Sequence, residues 1–159
     1  MKRQTMTTDP EQENTPPMRE AAARVVDFFE SLSPASLARL DALYAPGAYF
    51  KDPFNEVRGL PAIRQVFDHM YASLAQPHFV VTGCIVDGAE CFLTWNFVFH
   101  FKRFDTRALQ TVRGGSHLKF NASGLVDFHR DYWDAAEELY EKLPLVGRLM
   151  RWLKARARQ

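Results

Sequence analysis

A change of hydrophobic pattern after Pro77 constrains the fold of this chain more than any other feature. Before Pro77, apolar residues recur at spacings of three and four, which is the period of amphipathic helices. After it, aromatic and β-branched residues form four consecutive runs, which is the composition of β-strands. The runs are residues 79–86, 91–104, 109–120 and 125–133. Helices followed by a meander of strands predict an α+β fold, with the helices packed on one mainly antiparallel sheet.

Three helices and one short strand are predicted before the meander. The first helix starts at Met18, and the second runs from the N-cap residue Ser33, which precedes a proline, to Tyr44. A short strand, residues 48–52, separates them from a third helix that opens at Gly59. Two of the later runs are much longer than the usual strand of about five or six residues, so we expect the sheet to curl strongly. The expected shape is a cone-shaped roll whose concave face holds a pocket.

Composition and charge place the chain among single globular domains. Of its 159 residues, 47% are apolar and 25% are charged, and the net charge is +1, which argues against a nucleic-acid-binding surface. The sequence has neither an apolar run long enough to span a membrane nor the apolar core of a signal peptide, so we expect a cytoplasmic protein. We divide it into a disordered leader (1–17), a folded domain (18–143) and a basic amphipathic C-terminal helix (144–159).

The C-terminal segment is strongly basic, because five basic residues and no acidic residue follow Lys142. They are Arg148, Arg151, Lys154, Arg156 and Arg158. The apolar residues among them recur at helical spacing and suit a membrane surface, a partner helix or the mouth of the domain's own pocket. We favour packing against the domain or a second copy over membrane contact through residues 145–158, because one short amphipathic helix is a weak anchor.

The cysteines and histidines predict neither a disulfide nor a metal site. Asp87-Gly88 is a strong hairpin signal, and a two-residue turn there places Cys84 opposite Cys91 in a hydrogen-bonded pair. The α-carbons of such a pair are about 5.5 Å apart, a geometry that suits a disulfide less well than the closer type of pair. We therefore predict free thiols. The histidines lack partners at metal-ligand spacing, so we predict no metal and no cofactor.

Two motifs carry a resemblance to a known superfamily. They are Tyr49-Phe50-Lys51-Asp52-Pro53-Phe54, followed by Gly59 and a helix, and His129-Arg130-Asp131-Tyr132-Trp133-Asp134 on the last predicted strand. With the order of elements, they make the chain from about Arg19 to Trp133 resemble the nuclear transport factor 2-like superfamily. Its members include ketosteroid isomerases, limonene-epoxide hydrolases and SnoaL-like polyketide cyclases. The resemblance implies a cystatin-like cone, a small-molecule cavity and, as in many relatives, a homodimer.

The same resemblance implies roles for individual residues. In the ketosteroid isomerases the aspartate of Asp-Pro-Phe is the general base, and Asp52 stands in its place. Phe28 and Ser116 stand where those enzymes have their two oxyanion donors, a tyrosine and an aspartic acid. Asp131 stands where the epoxide hydrolases have a catalytic acid, but the run 91–104 lacks their Arg and Asp pair. The resemblance therefore implies isomerase-like or epoxide-hydrolase-like acid–base chemistry with an incomplete set of partners.

Strand parity supplies a second grouping, because residues two apart on a strand share a face. His129, Asp131 and Trp133 share one face of the last run, and the resemblance places that face inside the cone. Six residues of the two preceding runs join them there: Ser116, Leu118, Phe120, Phe97, Phe99 and Phe101. An aromatic cavity with a few convergent polar groups is typical of a small-molecule site. We predict Asp52, Asp131 and His129 as catalytic residues. The other residues of the group, together with Phe28, form the predicted ligand-binding wall.

These residues predict a protein that binds an apolar small molecule and isomerises or hydrates it with a carboxylate base. Two other functions remain open: a binding module without chemistry, which the missing donors favour, and an interaction protein that docks through its basic tail. The site residues also have structural explanations. Asp52 precedes a proline, and Asp-Pro favours turns. His129 and Asp131 would equally form a structural hydrogen-bonded pair, and phenylalanines on a strand are more often core than binding surface.

Overall fold

The computed structural model describes residues 15–103, 105–142 and 146–157. Two α-helices, one 3-10 helix and two strands precede the four-stranded meander, and short helices follow it. The elements are α1 (Thr15–Glu30), a 3-10 helix (Ser36–Ala42), β1 (Tyr44–Lys51), β2 (Glu56–Arg58), α2 (Leu60–Ser73), β3 (Leu74–Asp87), β4 (Glu90–Phe101), β5 (Gln110–Phe120), β6 (Val126–Tyr132), α3 (Ala135–Glu138), a second 3-10 helix (Tyr140–Lys142) and α4 (Val146–Ala157).

One six-stranded sheet, in the order β2-β1-β6-β5-β4-β3, forms the body of the fold. Neighbouring strands are antiparallel except β1 and β6, which run parallel with Phe50 opposite His129. This parallel contact brings the end of β1 beside the end of β6, so the loop that starts at Asp52 and the carboxylate of Asp131 come to the same edge. The predicted α+β fold, with helices on a curved, mainly antiparallel sheet and a C-terminal helix, is confirmed.

The core lies between the helices and the inner face of the sheet. From α1, five buried residues at helical spacing join the core: Met18, Ala21, Ala22, Val25 and Phe29. Along β4, successive side chains point to opposite faces, so Cys91, Leu93 and Trp95 are buried while the residues between them are exposed. Within the described ranges, no helix has the length and hydrophobicity needed to cross a membrane.

Several element boundaries differ from the predicted ones. Helix α1 begins at Thr15, inside the predicted leader, whose residues 1–14 lie outside the described part of the chain. The second predicted helix is a 3-10 helix, and Tyr44 belongs to β1 instead, because it pairs with Val126 of β6. Strand β2 was not predicted, since three residues carry no periodic pattern. Of the predicted C-terminal segment, the structure describes Val146–Ala157 as helix α4, and its remaining residues lie outside the described ranges.

The β3–β4 hairpin has a register different from the predicted one. Its turn consists of Gly88 and Ala89, one residue later than expected, so Cys84 lies opposite Leu93. Gly88 has a φ of +54°, a conformation that glycine adopts readily and that fixes the start of the turn. The predicted pairing of Cys84 with Cys91 is therefore wrong. The two free thiols lie diagonally across the strands, with their sulfur atoms 3.7 Å apart.

Candidate functional site

The concave face of the sheet encloses a cavity of about 340 Å³, which α2 and the loop after β1 help to close. Most of its wall is apolar: Phe50, Phe54, Val66, Phe67, Met70, Leu74, Phe79, Trp95, Phe97, Phe99, Phe101, Val112, Trp133 and Leu139. The polar side chains on the wall are Asp52, Asn55, His69, Ser73 and Asp131. Small-molecule sites usually combine an apolar wall with a few polar groups, in volumes of roughly 300 to 1,000 Å³.

Strand β4 supplies the aromatic part of the wall. Phe97, Phe99 and Phe101 alternate along its inner face, as strand parity requires. The ring of Phe97 stacks on Phe79 of β3 with centroids 4.5 Å apart, and it contacts Phe99 at 5.1 Å. Neighbouring rings thus hold one another in place, and the cavity is shaped before any ligand enters it.

A chain of hydrogen bonds between side chains ends at Asp131 on this wall. The Tyr44 hydroxyl and His129 Nδ1 are 2.6 Å apart, and His129 Nε2 is 2.7 Å from Asp131 Oδ1. From the other side, the Trp95 indole donates to Ser116 Oγ at 2.8 Å, and the Ser116 hydroxyl donates to the same Oδ1 at 2.6 Å. Both branches therefore converge on one oxygen atom of a single carboxylate.

The direction of these bonds follows from the group at each end. Burial, and secondarily the negative charge of Asp131, raise the pKa of Tyr44 well above its usual value, so Tyr44 keeps its proton. Tyr44 can then donate to Nδ1 of the His129 tautomer that carries its hydrogen on Nε2, and this Nε2–H points at Asp131. No described residue donates a hydrogen bond to Oδ2 of Asp131, so that oxygen keeps free lone pairs, and Asp131 is one of the residues of the cavity wall.

Asp52 also lies on the cavity wall, but hydrogen bonds of its own loop occupy its carboxylate. Oδ1 accepts from the backbone N–H of Phe54 at 2.7 Å and of Asn55 at 2.6 Å. The Asn55 side-chain amide lies within 3.0 Å of both oxygen atoms. Oδ1 thus accepts three hydrogen bonds and Oδ2 accepts one, all from the loop itself. The geometry is that of an Asp-initiated turn that closes the loop between β1 and β2.

The remaining predicted site residues fall into three groups. Trp133 lies on the cavity wall, with its ring 5.4 Å from that of Phe54. Ser116 and His129 line a small adjoining recess of about 20 Å³, which Asp131 also borders. Three residues do not line the cavity: Phe28, Leu118 and Phe120. Phe28 packs edge to face against Phe29, and the other two are buried in the hydrophobic core.

Two members of the hydrogen-bonded chain, Trp95 and Tyr44, were not among the predicted site residues. Trp95 shares strand parity with Phe97, so the same rule would have selected it. It also needs Gly114 on β5, because a Cβ at that position would overlap the indole ring. Tyr44 gave no comparable signal, since the sequence pattern assigns it to a helix. Within the described ranges, no group of three His, Cys, Asp or Glu side chains is arranged to hold a metal ion.

Comparison with known proteins places the fold. A family model described as the SnoaL-like domain matches residues 6–129 of the chain. No curated protein matches it. Among solved structures, an LEH-like epoxide hydrolase from M. tuberculosis is similar, with 16% identity over 77% of this chain and 89% of that one, and a TM-score of 0.64.

Two further structures share the fold. A protein assigned as a SnoaL-like polyketide cyclase from Jannaschia sp. CCS1 has 14% identity and a TM-score of 0.65, and the match covers 84% of this chain and 94% of that one. A protein with a ketosteroid isomerase-like fold from Catenulispora acidiphila, solved with trimethylamine, has 16% identity and a TM-score of 0.63, covering 79% and 91%. Identities this low establish a shared fold and no more. The family model, by contrast, spans most of the chain, and this protein belongs to the SnoaL-like domain family of the nuclear transport factor 2-like superfamily.

Proposed function

We propose that the cavity binds a mainly apolar small molecule and that Asp131 is the general base that moves a proton on it. The supporting observation is the asymmetry of the Asp131 carboxylate. Its Oδ1 accepts hydrogen bonds from Ser116 and His129, while Oδ2 accepts none from the described residues. A base needs a fixed orientation and a free lone pair within reach of the substrate, and this arrangement provides both.

The proposed step is a proton transfer inside the apolar cavity. Oδ2 takes a proton from the carbon beside a carbonyl group of the ligand, and the electron pair moves to the carbonyl oxygen. When a C=C bond adjoins that carbon, the protonated Asp131 returns the proton to the far carbon of the double bond, the double bond shifts toward the carbonyl group, and the isomerisation is complete with no co-reactant. If the ligand were an epoxide, Oδ2 would take a proton from a water molecule while the water oxygen bonds to a ring carbon. The ring C–O bond breaks, and the epoxide oxygen takes the proton back from Asp131, which gives a diol. In either case Ser116 and His129 hold the carboxylate in the orientation that the transfer requires.

Asp52 and His129 have different roles in this proposal from those that the sequence motifs imply. The carboxylate of Asp52 shapes the cavity wall through its loop, and His129 positions Asp131 without contacting the ligand. Similar folds carry the names of an epoxide hydrolase and a polyketide cyclase. Those names support small-molecule chemistry in such a cavity, and the particular substrate is left to experiment.

The test combines a ligand screen with two matched variants. Cyclic ketones, enones and terpenoid epoxides are screened for compounds that raise the melting temperature, because a ligand of the folded state stabilises it. Each compound found is then incubated with the protein in D2O and analysed by mass spectrometry for isomers, diols and incorporated deuterium. Asp131→Asn should retain binding and lose turnover by about 10² or more, the usual contribution of a general base.

The matched variant Asp52→Asn should keep most of the turnover, because it leaves the Asp131 carboxylate intact. Turnover that persists in Asp131→Asn and disappears in Asp52→Asn would overturn the assignment and favour the motif-based one. A decrease in both variants, with ligand binding retained, would indicate that the two carboxylates act together.

One observation favours a second candidate function, a binding module without chemistry. The Ser116 hydroxyl donates to Asp131, so it is not free to donate to an oxyanion on a ligand. The position that carries the other donor in ketosteroid isomerases is Phe28, which lies away from the cavity wall. If the protein is a binding module without chemistry, every stabilising compound should be recovered unaltered and without deuterium.

A further inference from the structure

Helix α4 contacts the rest of the protein along one narrow edge. It packs on the 3-10 helix Tyr140–Lys142, where Gly147 is buried so closely that a Cβ would overlap the Glu141 backbone. Arg151 donates to the Glu141 carbonyl oxygen at 3.0 Å, and Lys154 forms ion pairs with Glu137 and Glu141 at 2.9 and 2.8 Å. These contacts fix the rotation of the helix about its own axis relative to the domain.

The fixed rotation leaves an apolar strip of α4 exposed. Its four large apolar residues have relative exposures between 39% and 53%: Val146, Leu149, Trp152 and Leu153. We call these residues the α4 strip. Of the two expected packings, against the domain or against a second copy, the described strip residues do not show the first, because they are exposed. A soluble helix normally turns its apolar face to the core, so a strip of this size outside the core indicates an external partner.

The charges beside the α4 strip indicate which partner it fits. Helix α4 contains four basic residues and no acidic one, and Lys154 is the only one of the four with an acidic partner among the described residues. Arg148 and Arg156 lie one turn on either side of Trp152, and the Arg156 guanidinium is 4.7 Å from the centre of its ring. Apolar residues, a tryptophan and uncompensated arginines on one helix match a bilayer interface that contains anionic lipid.

We propose that α4 docks the protein onto an anionic membrane surface, with the α4 strip inserted at the level of the headgroups. Its twelve residues are too few to cross a bilayer, which takes about twenty, so the helix lies in the plane of the membrane. A second copy is a poorer occupant, because two such helices side by side would bring their unpaired arginines together. A nucleic acid would match the arginines but leave the leucines and the valine unexplained.

Docking through α4 would also keep the cavity close to the bilayer. Leu139, which lies on the cavity wall, directly precedes the 3-10 helix on which α4 packs. Apolar molecules dissolved in the membrane would then be near the cavity. The docking proposal does not depend on the catalytic role of Asp131, and its test uses no ligand.

The test is flotation of the purified full-length chain with two kinds of vesicle. One kind is pure phosphatidylcholine, and the other contains about a third phosphatidylglycerol, at salt concentrations of about 0.1 and 0.5 M. We expect binding to the anionic vesicles at least about tenfold stronger than to the neutral ones, and weaker at the higher salt concentration. No binding to the anionic vesicles overturns the proposal.

Matched variants identify the surface. Leu149→Gln/Leu153→Gln removes apolar area without changing the charge, and Arg148→Gln/Arg156→Gln removes charge without changing the strip. Each should lower binding to anionic vesicles by about tenfold or more. Leu109→Gln, at an exposed leucine in the β4–β5 loop, is the control and should bind as the parent does. All these side chains are exposed, and melting curves should confirm that the variants fold.

Two outcomes would contradict the assignment. Equal vesicle binding by the parent and both double variants would place membrane contact elsewhere on the molecule. A change of mass in solution caused by Leu149→Gln/Leu153→Gln, with no vesicle binding by any form, would show that α4 is a protein interface.

Discussion

At the scale of single residues, two aspartates on the same cavity wall differ in what occupies their oxygen atoms. Donors of the loop occupy both oxygens of Asp52, whereas Ser116 and His129 donate to only one oxygen of Asp131. Proximity to the cavity alone therefore does not distinguish the two carboxylates. The aspartate of the Asp-Pro-Phe motif closes a loop with its carboxylate, and Oδ2 of Asp131 accepts no hydrogen bond from the described residues.

Asp52→Ala should lower the free energy of unfolding by about 1.5 to 3 kcal/mol, the range for hydrogen bonds to a charged group. The reason is that Phe54 and Asn55 would lose the acceptor that closes their turn. Urea denaturation measures the change. Asp127→Ala, at an exposed aspartate of β6, is the control and should stay within about 0.5 kcal/mol of the parent. Unchanged stability of Asp52→Ala would remove the structural explanation of this residue.

Stability should also fall as the pH rises above about 9. Burial, and secondarily Cys84, raise the pKa of the Cys91 thiol to about 12 from its usual value of 9.0. The pKa of Tyr44 is raised as well, mainly by burial. The unfolded chain therefore releases these protons at a lower pH than the folded protein does. Their contribution to stability is complete below the unfolded pKa values and is lost as the pH rises toward the folded ones.

Urea denaturation at pH values between about 8 and 11 measures how steeply the free energy of unfolding falls as the pH rises. The variant Cys91→Ala should show a shallower decline than the parent, whatever its stability at neutral pH, because one of the two groups has been removed. Parallel curves for the two proteins would contradict the assignment of the slope to Cys91.

At the scale of elements, the alternation of inward and outward side chains along a strand was predictable from the sequence. The pairing register between neighbouring strands was not. The inward positions of β4 follow from sequence, because each side chain alternates with the next, and Phe97, Phe99 and Phe101 all lie on one face. The β3–β4 turn differs from the prediction by one residue, since Asp87-Gly88 and Gly88-Ala89 both place a glycine in a tight turn. Asp-Pro predicted a turn at Asp52, but the particular donors that its carboxylate accepts were beyond sequence, because they depend on the path of the loop.

The approach of β4 to β5 leads to a prediction at Gly114. The Trp95 indole occupies the space above this glycine, so Gly114→Ala should displace the ring and break its bond to Ser116. Overpacking of this kind usually costs about 1 to 3 kcal/mol. Urea denaturation measures the loss, and quenching of tryptophan fluorescence should show a more accessible indole. Gly47→Ala, where a Cβ would meet no atom within 4 Å, is the matched control and should be close to neutral.

At the scale of the whole molecule, the two faces of the sheet have different surfaces. The inner face encloses the cavity at one end and the solid core at the other. The outer face carries an apolar patch formed by Ile85, Phe92 and Tyr132, with Ile85 directly opposite Phe92 across β3 and β4. The α4 strip is a third apolar surface. A monomer would expose both the outer-face patch and the α4 strip to water. Exposed apolar surfaces of this kind usually mark binding sites, so we expect a separate partner for each.

We predict that the outer-face patch joins two copies of the chain into a homodimer. A contact between two identical faces usually has few charged residues at its centre. Ile85 suits such a centre, because it is apolar and 70% exposed. Light scattering should give twice the mass of the chain, and Ile85→Lys should shift the mass toward that of a monomer, because it places two like charges at the contact. Leu109→Lys, which adds the same charge at an exposed leucine outside the patch, should leave the dimer intact. The variant Leu149→Gln/Leu153→Gln should also remain dimeric if α4 faces a membrane. A parent protein of monomer mass, or a dimer that survives Ile85→Lys, would rule out this face as the contact between copies.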